Sequence, residues 1–68
     1  MNYKMLRGAI ERSGMKRSFI AKSIGLADST LHDRIEGTTP WKVDEAQSFC
    51  ELLGLTKRQR DEIFFGNE

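Results

Sequence analysis

The chain holds one histidine, His32, and one cysteine, Cys50. A structural zinc site needs four nitrogen or sulfur ligands, so no metal centre can be assembled around this pair. There is no nucleophile with a base beside it, no glycine-rich phosphate loop and no pair of carboxylates about a recognisable cleft. The sequence therefore argues against an enzyme and implies no cofactor. What remains is hydrogen-bonding and charge chemistry, and it gathers in the segment 28–36. Leu31 and Ile35 are one helical turn apart there and face inward. Asp28, Ser29, His32, Asp33 and Glu36 consequently lie outward, a row of donors and acceptors presented by one helix.

Five helices are expected to position that row. Gly14, Gly25, Gly37, Gly54 and Gly66 punctuate the chain and read as helix stops or loop corners. The first segment, about 3–13, sets Leu6, Ala9, Ile10 and Ser13 on one stripe, with Asn2 placed to cap it. The second, about 17–24, carries Ile20, Ala21 and Ile24 on one face. The third is 28–36. The fourth, about 43–53, opens with Asp44 and Glu45, the charges a helix N-terminus prefers, and buries Ala46, Phe49, Cys50 and Leu53. Thr56 with Gln59 three residues on forms a capping box for a fifth helix, about 57–65. The only proline, Pro40, lies in the loop between the third and fourth segments. No alternating run argues for a strand. The expected fold is all-α, one domain over residues 1–68.

Net charge is only +1, but it is unevenly spread. Residues 1–34 carry seven cations against three anions, +4; residues 35–68 carry four against seven, −3. A basic half joined to an acidic half suits a module that turns one face to phosphates. No apolar run approaches the roughly 20 residues of a membrane-spanning helix. The N-terminus lacks the apolar stretch of a signal peptide, and a lone cysteine fits a reducing, cytoplasmic setting.

The most informative stretch runs from Ile20 to Leu31. A helix ends at Gly25, three residues turn the corner, and a second helix begins. Ala21 is small where the two would cross, Leu26 tucks inward, and Leu31 with Ile35 pins the second helix on the first. Two short helices locked in this way, about 17–36, make a helix-turn-helix. From Leu6 to Leu55 the pattern resembles the lambdoid-repressor-type (Cro and CI, or Xre) helix-turn-helix domain of phage and bacterial regulators. Ser29-Thr30-Leu31, Arg34-Ile35, Gly37, Trp41, Asp44-Glu45 and Ile63-Phe64-Phe65 are similar to small Cro-like proteins of Gram-positive phages and prophages.

The resemblance implies a cytoplasmic, nucleoid-associated regulator, bacterial or phage-encoded, that binds double-stranded operator DNA as a homodimer with its third helix in the major groove. The family's base-reading positions fall on Asp28, Ser29, His32 and Asp33. Arg17 falls where the family contacts the DNA backbone, with Lys16, Ser18, Thr30, Thr38 and Lys42 as flanking or phosphate contacts. A carboxylate among phosphates is unfavourable unless it accepts a hydrogen bond from cytosine N4. Asp33, or else Asp28, would read a cytosine in this way; the other reading of Asp28 is that it satisfies the helix N-terminus. His32 would lend pH-dependent affinity if it touched a phosphate. The family usually carries Ser or Thr where this chain has Lys16 and Ala27, so Asp28 or Ser29 is expected to cap the third helix and shift its start.

Trp41 is expected to cover the core between the third and fourth helices, as one half of a hydrophobic staple, and Phe19 to be partly exposed. Cys50 reads as a core residue. Phe64 and Phe65 either close the monomer core or supply a dimer contact. If the chain ends at Glu68, with no ligand-binding domain following, regulation by occupancy of the operator is implied. The rival reading is a protein-interaction module of the same fold, such as an antirepressor or antitoxin.

Overall fold

The computed structural model describes residues 1–67. Among these residues there are five helices and no strand: α1 (Tyr3–Ser13), α2 (Arg17–Ser23), α3 (Asp28–Glu36), α4 (Val43–Leu53) and α5 (Lys57–Phe64). Three match the sequence expectation at both ends, and α2 and α5 each stop one residue early. The reason at α2 is the turn that follows: Leu26 N–H returns to Ala21 O at 2.8 Å, which requires Gly25 in the left-handed region at φ +79°. Gly66 differs from the other expected stops. Its φ is not positive, and α5 is closed instead by Phe65 in a right-handed conformation.

The start of each helix shows which side chains hold it. Asn2 Oδ1 accepts the Met5 N–H at 3.0 Å, and the Thr56–Gln59 capping box makes both of its bonds, at 3.1 and 2.8 Å. Lys16 and Ala27 occupy the N-cap positions of α2 and α3 with extended backbone and no side-chain cap bond. Neither Asp28 nor Ser29 takes over, and α3 starts where the spacing placed it. A side chain inside the first turn points back along the helix and does not reach the N–H groups ahead of it as an N-cap oxygen does.

One apolar core unites the five. Leu6, Ala9 and Ile10 of α1 meet Ile20 and Ala21 of α2, Leu31 and Ile35 of α3, Phe49 and Cys50 of α4, and Ile63 of α5. Ala21 is fully buried, as its small size at the α2–α3 contact anticipated. Cys50 is a buried free thiol, and burial pushes its pKa up, keeping it neutral. The chain ends are tied together by Asn2 N–H to Ile63 O, 2.7 Å. No described helix is long and apolar enough to cross a membrane.

Candidate nucleic-acid interface

The outward row of α3 divides into two flanks. Asp28 and His32, four residues apart, lie on the side of α2. Together with Arg17, Ser18 and Leu31 they line a shallow groove of about 140 Å³. Arg17 and Ser18 reach it because they open α2, immediately after the turn that leaves α1. All four polar residues are exposed, and none of their side chains makes a hydrogen bond or ion pair among the described residues. The groove thus offers a guanidinium fork, a hydroxyl, a carboxylate and an imidazole, with their hydrogen-bonding capacity free for a ligand.

Opposite it, toward α4, α3 carries a side chain whose three guanidinium nitrogens all donate within the chain. Arg34 grips Glu45 with two parallel bonds, Nε to Oε1 at 2.8 Å and an Nη to Oε2 at 3.2 Å. Its other Nη donates to Thr39 Oγ1. The same carboxylate accepts the Lys42 N–H at 3.0 Å, half of a capping box whose other half a lysine cannot supply. The Trp41 indole N–H donates to Arg34 O at 3.1 Å. Both charged side chains are nearly buried, at 11% and 8% exposed. The guanidinium bond is the main reason the Glu45 carboxyl sits below its ordinary range, ahead of the opposing effect of burial.

The remaining expected site residues are more scattered. Ser29 is exposed on the first turn of α3, and Thr30 is half-buried beside it. Asp33 is half-buried, outside the groove; the amides of Gly37, Thr38 and Thr39 converge on its carbonyl. Thr38 is therefore held at the far end of α3 from Arg17. Lys16 is exposed next to Arg17. Lys42 lies on another surface, lining a groove between α4 and α5. Phe64 is packed edge-on to Trp41 and Phe49, at ring-centre distances of 5.3 and 6.2 Å, so it closes the core. Phe65 is 79% exposed.

Glu45 was legible only as an acidic residue at a helix start. Its position three after Lys42 carries the same return-bond signal as Gln59 after Thr56. The ion pair with Arg34, eleven residues away, left no local trace. No family model, curated protein or solved structure matches the chain.

Proposed function

We propose that this chain is a sequence-specific double-stranded DNA-binding transcriptional regulator of the Cro-like kind, with α2 and α3 as its helix-turn-helix and α3 entering the operator major groove. One observation carries the reading. Arg17 and Ser18 from the start of α2 share a groove with Asp28 and His32 of α3, and all four side chains are without partners among the described residues, while the other flank of the same helix is locked. In this reading Arg17, with Lys16 and Ser18, engages phosphates and sets the register. Asp28, Ser29 and His32 face base edges, Asp28 accepting from cytosine N4. The uncapped starts of α2 and α3 add free backbone N–H donors on the same side. Asp33, half-buried, is the weaker candidate for the cytosine contact. Two copies on a pseudo-palindromic operator follow from the resemblance.

Selection of bound sites from a random duplex pool, at near-physiological salt, tests this. A recovered pseudo-palindrome with half-sites about one helical turn apart supports it. Weak, salt-sensitive binding with no motif overturns it in favour of the protein-interaction reading, which the carboxylates of Asp28 and Asp33 on α3 favour.

A further inference from the structure

Two of the three large apolar side chains left exposed lie on the same surface. Val43 is 85% exposed at the start of α4, and Phe65 is 79% exposed just after α5. Between them runs a groove of about 920 Å³, with Trp41, Cys50 and Phe64 among its lining residues. Exposed apolar surface of this kind marks a contact site.

Its charge is opposite to that of the sequence around it. Residues 35–68 are net acidic, yet the charged residues lining the groove are Lys42, Lys57 and Arg60 against Glu51 alone. Lys57 has no ion pair among the described residues. A second copy seated here about a two-fold axis would set one net-cationic patch against another, since a two-fold interface uses the same patch twice. The described residues also offer no sheet edge on which an extended peptide could pair its backbone, whereas a helix satisfies its own.

From the apolar floor, the cationic rim and the missing sheet edge we infer that the α4–α5 groove docks an amphipathic, acidic helix of a partner protein. The helix would lay apolar anchors on Trp41, Phe64 and Phe65 and set its carboxylates against Lys42 and Lys57. The inference does not rest on DNA binding by the α2–α3 face.

Trp41 is the only tryptophan in the chain, so its emission reports on the groove directly. The probe is a synthetic amphipathic helix of roughly 14 residues, about 21 Å long at 1.5 Å per residue, with leucines at three- and four-residue spacing and glutamates elsewhere. A saturable change in Trp41 emission is expected. Phe65→Ser should weaken binding about tenfold and Lys57→Glu about fivefold, as loss of an apolar anchor and reversal of a rim charge do. A probe with lysines in place of the glutamates should bind poorly to the native chain and better to Lys57→Glu. Lys57 belongs neither to the α2–α3 face nor to the expected dimer contact, so operator binding should be unaltered in Lys57→Glu, which separates failure here from failure of the DNA reading. Three results would overturn the inference: no response to the acidic probe, equal response to both probes, or Trp41 emission that shifts on dilution of the protein alone. The last would assign the groove to a second copy.

Discussion

The two flanks of α3 are built from similar residues and put to opposite use. Toward α4, Arg34, Glu45, Thr39, Trp41 and the Lys42 amide form a closed network in which every Arg34 guanidinium nitrogen, the Trp41 indole and the Lys42 amide find an acceptor. Toward α2, the side chains of Arg17, Ser18, Asp28 and His32 surround a groove and have no hydrogen-bond or ion-pair partner among the described residues. Burial explains the difference. An arginine and a glutamate removed from water must satisfy each other, or the desolvation cost goes uncompensated. Exposed polar groups keep their water and release it to a ligand. The closed flank contributes stability and fixes the loop after α3; the open flank contributes little stability and is available for recognition.

Substitutions on the two flanks should therefore separate stability from binding. The largest effect is expected for Glu45→Ala, which strands Arg34 and frees the loop: the melting temperature should fall by roughly 10 °C in a thermal scan. A fall no larger than that of a surface variant would contradict the closed-network account. The same carboxylate sets an acid dependence. Because Arg34 holds it below the usual carboxylate value of 4.5, its contribution is present above that value and lost as pH drops through the lowered one. Melting of Glu45→Gln should accordingly depend less on pH between neutral and strongly acid conditions than melting of the native chain.

On the open flank, Arg17→Ala should leave melting within about 0.5 kcal/mol of native. It should also weaken duplex binding and reduce the slope of log affinity against log salt by about one. An unaltered slope would remove Arg17 from the phosphates. Ala27→Ser should supply the cap that α3 lacks and stabilise the chain by roughly 1 kcal/mol, read by denaturant titration. Smallest of all is His32→Gln, with no measurable change in stability. If His32 faces a base edge, the variant should change the base preferred at one position of each half-site in a binding-site selection; an unchanged motif would exclude that contact.

The helices were legible in the sequence because their causes are local. Apolar spacing of three and four, Asn2 and the Thr56–Gln59 box at helix starts, and the glycines at four of the five expected stops act within a turn or two of where they sit. The inward pair Leu31 and Ile35 likewise determined which residues of α3 would face out. Tertiary structure decided what could not be read locally. Asp33 belongs by periodicity to the outward row, yet the returning loop at Gly37–Thr39 leaves it half-buried. Phe64 and Phe65, adjacent and alike in sequence, divide between the Trp41–Phe49 cluster and solvent because successive residues of a helix point about 100° apart. Arg34 finds Glu45 only because a core to which all five helices contribute holds the start of α4 within reach of the end of α3. Which polar groups are used up within the chain and which remain free depends on distances between elements, and sequence periodicity does not contain those distances.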